Sequence, residues 1–192
     1  MAVWLRIARL ICLSARGGRR VAVSSRSARR WGPGRSGWRP DGAGARAGIL
    51  GSVAEHSTPE TIRTLLTDTR TWAVVGCSPD PRRDSHRIAR LLQTRGFRVV
   101  PVNPHVDEVL GERAYPSLAA LPDTERVDVV DIFRRADQAG AHVEEAIAAG
   151  VRGVWMQLGV IDEAAAQRAL EAGLLVVMNR CPAIELPRLA AA

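Results

Sequence analysis

A buried strand, a tight turn and a helix start follow one another in Trp72-Ala-Val-Val-Gly-Cys-Ser-Pro-Asp-Pro-Arg-Arg-Asp-Ser-His-Arg87. The apolar run ends at Gly76, and a helix is predicted to begin near Asp84 or Ser85. A second apolar strand, Phe97-Arg-Val-Val-Pro-Val-Asn-Pro104, follows about one strand–helix unit later. Backbone N–H groups and the positive end of the helix dipole would point at an anion in the first turn. The sequence therefore predicts a phosphate-bearing, nucleotide-like ligand.

The rest of the orderly region alternates short apolar strands with amphipathic helices. Thr58-Pro59-Glu60 combines a capping hydroxyl, a proline at the first helical position and an acid in the first turn. Apolar runs without polar alternation are typical of parallel strands covered by helices on both faces. We therefore predict a doubly wound α/β domain with a mostly parallel, five-stranded Rossmann-like sheet. The predicted strands are 72–75, 97–102, 127–133, 151–156 and 174–178, and the main predicted helices after the first begin near 84, 136 and 162.

Charge divides the chain into two parts. Residues 1–48 contain 11 Arg and one acid, whereas residues 49–192 contain 16 Arg and 19 acids. The net charge of +7 therefore belongs to the first part, and all 27 basic residues of the chain are Arg. A basic chain is a candidate for nucleic-acid binding, but here that prediction applies to the tail alone. The predicted ligand-binding domain, residues 57–189, is mildly acidic.

Residues 1–48 are predicted to be a disordered, Arg-rich extension, because they contain no sustained apolar period. Their Arg- and Ser-rich composition also matches an organelle transit peptide, so the compartment is either the cytoplasm or an organelle matrix. The apolar run 10–13 is too short to span a membrane, and no membrane association is expected. The three cysteines, Cys12, Cys77 and Cys181, form no CxxC pair, which argues against a disulfide framework or a metal cluster.

In an open α/β sheet, ligands bind beyond the carboxyl ends of the strands, where the strand order reverses. The segment that follows each predicted strand is polar or contains glycine, as a binding surface requires. These segments are Gly76-Cys-Ser78, Asn103-Pro-His105, Arg134-Arg135, Gln157-Leu-Gly159 and Asn179-Arg-Cys-Pro182.

The motifs of two common nucleotide sites are missing. The first turn has one glycine, and strand two ends in Asn103-Pro104 with no acid for a ribose, so the dinucleotide fingerprint is incomplete. A Walker P-loop is excluded because the chain has no Lys. Ser78, backbone amides and Arg82 or Arg83 then become the predicted phosphate contacts. A nicotinamide-dependent oxidoreductase and a thiol-redox protein using Cys77 and Cys181 stay open as alternatives.

Several motifs in order resemble the small, stand-alone coenzyme A-binding proteins of bacteria, whose fold is similar to the CoA-binding domain of the succinyl-CoA synthetase α-subunit. The resemblance covers about residues 58–189. It is carried by Val75-Gly-Cys-Ser-Pro-Asp-Pro-Arg-Arg-Asp-Ser-His-Arg87, Val100-Pro-Val-Asn-Pro104, Gly111-Glu-Arg-Ala-Tyr-Pro-Ser-Leu118, Val127-Asp-Val-Val-Asp-Ile-Phe-Arg-Arg135, Val154-Trp-Met-Gln-Leu-Gly-Val160 and Val177-Met-Asn-Arg-Cys-Pro182.

The resemblance implies a division of the site along coenzyme A. The turn Gly76, Cys77, Ser78 and the helix start near Ser85 would hold the pyrophosphate. The nucleotide end would lie on Val102, Asn103 and Pro104, and the pantetheine path would be bordered by Phe133, Arg134 and Gln157. The pair Arg134-Arg135 is the strongest candidate for a 3′-phosphate, because guanidinium forks match phosphate oxygens. No nucleophile–base pair is recognisable, so we expect binding of coenzyme A or acyl-CoA without catalysis.

Overall fold

The computed structural model describes residues 56–191. The predicted Arg-rich extension, residues 1–48, lies outside the described residues. The helices are α1 (Pro59–Thr67), α2 (Asp84–Thr94), α3 (Ala136–Ala148), α4 (Glu163–Glu171) and α5 (Pro182–Ala190). The strands are β1 (Thr71–Val75), β2 (Arg98–Val102), β3 (Glu108–Val109), β4 (Glu112–Arg113), β5 (Val129–Ile132), β6 (Gly153–Met156) and β7 (Leu175–Val177), and a short 3₁₀ helix spans Leu118–Ala120.

Five strands form one fully parallel sheet in the order β2-β1-β5-β6-β7. The chain leaves β1 toward one edge, to β2, and later returns to the other side of β1 as β5. Strand order therefore reverses between β1 and β5, where an open α/β sheet forms its crevice. The predicted doubly wound, five-stranded parallel sheet is confirmed.

Helices cover both faces of the sheet. Alternate residues of each strand point to opposite faces, so the sheet has two apolar cores. One core packs against α3 and α4 and contains Val75, Val130, Ile132, Val154 and Met156. The other packs against α1, α2 and α5 and contains Trp72, Val74, Val129, Trp155 and Val177. Because both faces are buried, most strand positions are apolar, which is the pattern that identified the strands.

The structure adds two elements that the sequence interpretation lacked. Helix α5 follows β7 directly, and β3 and β4 form a two-stranded antiparallel hairpin after β2. Several strands are also shorter than predicted: β5 begins at Val129 rather than Val127, and β6 begins at Gly153 rather than Val151. Within residues 56–191, every helix is too short or too polar to cross a bilayer.

Candidate functional site

The turn after β1 brings two backbones into unusually close approach. Gly76 has a φ of 80°, and a Cβ atom placed on it would lie 2.6 Å from the carbonyl oxygen of Phe133 at the end of β5. A glycine is therefore required at this position for both its conformation and its lack of a side chain. The close approach places the turn directly over the point where strand order reverses.

Hydrogen bonds hold this turn from two sides. On one side, the Ser78 N–H donates to Oγ of Ser85 in the first turn of α2, at 3.1 Å. On the other, Nδ2 of Asn103 donates to the Cys77 carbonyl oxygen at 2.7 Å, and Oδ1 of Asn103 accepts the His105 N–H at 3.0 Å. The segments that follow β1 and β2 thus form one rigid unit, because a single amide side chain bonds to both.

Two helices, α2 after β1 and α3 after β5, begin without a side-chain cap. Arg83 and Arg135 occupy the N-cap positions of α2 and α3, and neither makes a capping hydrogen bond within the described chain. Helices α1 and α4 are capped, by Thr58 and Asp162, whereas α5 also begins without a side-chain cap, at Cys181. The first N–H groups of a helix have no intrahelical acceptor and carry partial positive charge. The open N-termini of α2 and α3 therefore flank the switch point between β1 and β5 and could bind an anion.

A groove of about 550 Å³ lies at the carboxyl edge of the sheet, beside this turn. Arg134 connects the two features, because it lines the groove and its Cδ would lie 3.2 Å from a Cβ at Gly76. The groove combines apolar walls with a few polar groups, as small-molecule sites do. Its lining is Asp84, Arg87, Ile88, Leu91, Phe133, Arg134, Gln157, Leu158, Val160, Cys181 and Ala183.

At the groove, Gln157 is bonded to a buried acid. Its Nε2 donates to Oδ1 and Oδ2 of Asp131 at 2.8 and 3.1 Å. Burial raises the pKa of Asp131 to about 8, although the hydrogen bond from Gln157 pulls in the opposite direction. This carboxyl group is therefore mostly protonated at neutral pH, because its ionised form would lie in apolar surroundings.

The two cysteines of the described region differ in access. Cys77 is fully buried, and burial together with the nearby Asp131 raises the pKa of its thiol to about 12. Cys181 lines the groove and is half-buried; burial raises its pKa, and the N–H groups of Ala183 and Ile184 offset part of that effect. A thiolate is thus disfavoured at Cys77, which behaves as the small apolar residue of a tight turn.

The predicted arginine contacts are only partly brought to the site. The guanidinium of Arg82 is exposed and bonds to both carboxylate oxygens of Asp80, at 3.0 to 3.2 Å. Arg135 pairs with Asp137, so of the pair Arg134-Arg135 only Arg134 lines the groove. Each of these two arginines thus forms an ion pair with an acid two residues away in the chain, Asp80 for Arg82 and Asp137 for Arg135.

The remaining predicted residues lie around the turn or the groove. Val102 is buried, and its carbonyl oxygen accepts the Gly76 N–H at 2.8 Å, while Pro104 is exposed beside Asn103. Several lining residues were not predicted from the sequence, among them Ile88 and Leu91 on α2 and Leu158 after β6. Leu158 is 56% exposed on the rim, and an apolar residue two positions after a strand was the available signal.

A second groove, of about 590 Å³, lies at the opposite end of the sheet. It is lined by residues before β5 and at the end of α3, among them Leu121, Val127 and Gly150. None of the sequence-predicted site residues lines it.

Comparison with known proteins places this chain in a family. A sequence profile described as a CoA binding domain matches residues 70–187. The uncharacterized protein YneT of Bacillus subtilis (strain 168) is 36% identical over 120 residues, which are 62% of this chain and 87% of YneT. The profile match spans the turn, the groove and all five strands of the parallel sheet.

Solved structures share the fold and much of the sequence. A hypothetical protein from Pyrococcus horikoshii OT3 is 41% identical, with a TM-score of 0.66, and the match covers 69% of this chain and 92% of that one. An acetyl-coenzyme A synthetase from Ca. Korarchaeum cryptofilum is 27% identical, with a TM-score of 0.53, over 62% of this chain and 28% of the synthetase. With the profile match, these similarities show that the chain belongs to the CoA-binding domain family.

Proposed function

We propose that this chain binds coenzyme A or an acyl-CoA at the carboxyl edge of its parallel sheet and catalyses no reaction by itself. The observation that carries the proposal is that Arg134 both lines the groove and lies against the Gly76 turn. This surface lies where strand order reverses, which is where nucleotides bind in such folds. The family supplies the class of ligand.

The nucleotide half of the ligand would lie on the turn unit. The turn of Gly76, Cys77 and Ser78 would receive the pyrophosphate, together with the open N-terminus of α2 near Ser85. Backbone N–H groups suit this task because they present fixed donors without the conformational entropy of a long side chain. Asn103 holds the other side of the turn, where a dinucleotide-binding fold carries its ribose-binding acid.

The pantetheine arm would run along the groove. Phe133 and Leu158 supply apolar contact, and Gln157 supplies a polar group for the amides of the arm. Arg134 stands between the groove and the turn, where it would face a phosphate. One charged residue and a few polar groups in an apolar groove would orient a flexible ligand of this kind.

The absence of catalysis is supported by what the nucleophile and base candidates do in the fold. Cys77 is buried with a raised pKa, and Nδ1 of His86 lies 3.0 Å from the Ser78 carbonyl oxygen. These side chains serve the local structure of the turn. The acetyl-coenzyme A synthetase that matches this chain does so over 28% of its own length, so most of that enzyme has no counterpart in the match.

Isothermal titration calorimetry of the full chain tests the proposal. Coenzyme A is expected to bind with a micromolar dissociation constant, and 3′-dephospho-CoA more weakly if an arginine meets the 3′-phosphate. NAD is the competing ligand, because the oxidoreductase alternative requires it. Binding of NAD without binding of coenzyme A would contradict the proposal. Incubation with acyl-CoA, followed by mass spectrometry for hydrolysis or transfer products, tests the non-catalytic part.

A further inference from the structure

Asp131 occupies a position where a carboxyl group is energetically unfavourable. It is fully buried in β5, in register with Val74 on one side and Trp155 on the other. Within residues 56–191, its carboxyl group receives hydrogen bonds from Gln157 and from no basic side chain. A buried carboxyl without a cation is costly, and an apolar residue of similar volume would suit the surrounding core. What Asp131 contributes to the structure is its hydrogen bonding with Nε2 of Gln157.

In the structure, the bond to Asp131 turns Nε2 of the Gln157 amide inward. A carboxyl group offers Nε2 an acceptor whether it is ionised or neutral, since one carbonyl oxygen remains after protonation. With Nε2 turned inward, Oε1 is turned outward. Oε1 accepts no hydrogen bond from the described chain. Among the described residues, the buried side-chain polar atom that lacks a partner is His142 Nδ1. Oε1 is therefore not buried without a partner but open to solvent. Because Gln157 lines the groove, that oxygen is an acceptor presented to a ligand.

We infer that Asp131 is a positioning residue that fixes Gln157 with Oε1 toward the groove, so that the groove selects a ligand carrying a hydrogen-bond donor there, such as an amide N–H of a pantetheine arm. This inference rests on the proposed binding of coenzyme A and adds a specificity determinant to it. A bare nucleotide has no pantetheine arm, so it cannot make this contact with Oε1 of Gln157.

The test compares two ligands on matched variants. Coenzyme A and adenosine 3′,5′-bisphosphate, its nucleotide half, are titrated by calorimetry into the full chain as wild type, Asp131→Leu and Asp131→Asn. Leucine removes the acceptor, so Asp131→Leu is expected to weaken coenzyme A about fivefold, which corresponds to one neutral hydrogen bond. Asparagine keeps an oxygen, so Asp131→Asn should stay within about twofold of wild type. The bisphosphate should bind all three proteins alike.

Different outcomes separate the two proposals. If the wild type binds neither ligand, the proposed function fails and this inference fails with it. If the wild type binds coenzyme A but Asp131→Leu weakens both ligands equally, the residue is merely structural and the inference alone is overturned. The same conclusion follows if Asp131→Leu leaves coenzyme A affinity unchanged.

A double-mutant cycle gives a second readout that does not depend on the size of either loss. Gln157→Met removes the positioned oxygen and keeps the side-chain length. If Asp131 acts through Gln157, Asp131→Leu should cost no further coenzyme A affinity in the Gln157→Met background. Additive losses would overturn the inference.

Discussion

The backbones of Gly76 and Phe133 lie too close together for a side chain on Gly76: a Cβ there would lie 2.6 Å from the Phe133 carbonyl oxygen. The two residues directly follow neighbouring parallel strands, β1 and β5. Their contact brings the turn that would hold phosphate against the strand end that opens the groove.

Gly76→Ala is expected to destabilise the fold by about 3 kcal/mol, because a positive φ and a backbone clash are penalised together. The matched control is Gly96→Ala, where φ is 86° and no atom lies within 4 Å of the added Cβ. That substitution should cost about 1 to 2 kcal/mol, the conformational part alone. Urea denaturation measures both, and equal losses would contradict the close approach.

Asn103→Asp should weaken coenzyme A binding about tenfold, because the new carboxylate cannot donate to the Cys77 carbonyl oxygen and would repel phosphate. Asn179→Asp is the control. Oδ1 of Asn179 accepts the Gly159 N–H at 2.9 Å, a bond that aspartate preserves, and the same charge is added. Calorimetry should find less than about a twofold change for the control. Similar losses in the two variants would argue against a role for the Asn103 amide.

Arg134→Gln should weaken coenzyme A about tenfold, as expected for the loss of one charge-assisted contact to phosphate, and should reduce the salt dependence of binding. Arg82→Gln removes the same charge from a side chain that is 88% exposed and held by Asp80. Its effect should be small, because an exposed charge is screened. A larger loss from Arg82→Gln than from Arg134→Gln would reverse the assignment made from the groove.

Alkylation with iodoacetamide should distinguish the two cysteines of the described region. The buried Cys77 thiol has a pKa of about 12, so at pH 8 it should react far more slowly than the groove-lining Cys181. Coenzyme A should protect Cys181. Peptide mapping of the native full chain by mass spectrometry gives each rate, and equal rates for Cys77 and Cys181 would contradict the described burial.

The buried acid predicts a pH-dependent difference between wild type and Asp131→Asn. The pKa of Asp131 is about 8 in the folded chain, and an unfolded aspartate titrates near 3.9. Between these values the folded protein retains a proton that the unfolded chain releases. Wild-type stability should therefore fall relative to Asp131→Asn by about 1.4 kcal/mol per pH unit from about pH 4 to pH 8, then level off.

Urea denaturation of both proteins at several values of pH measures this difference. The variant is the reference because every other titrating group is shared. A difference in unfolding free energy that stays constant from pH 5 to pH 8 would mean that Asp131 ionises normally in the fold.

The sheet could be predicted from the sequence because strands buried on both faces are apolar at most positions. The sequence was misleading at α5, where Pro182 starts the helix but Pro187 lies inside it and suggests a break. The turn was predicted because its residues are adjacent in sequence. The partnership of Asp131 with Gln157 was not, because 26 residues separate them and only the register of β5 with β6 brings them together.

The most direct test is to locate bound coenzyme A, which we propose lies at the Gly76 turn and the groove beside it. ¹⁵N chemical-shift mapping of the full chain during a coenzyme A titration measures this location. We predict that the amide signals of Gly76, Ser78 and Ser85 and the side-chain amide of Gln157 shift together and saturate with one dissociation constant. The amides of Leu121, Val127 and Gly150, in the groove at the other end of the sheet, should stay in place. Shifts confined to that second groove, or no saturable shift at the Gly76 turn, would contradict the account.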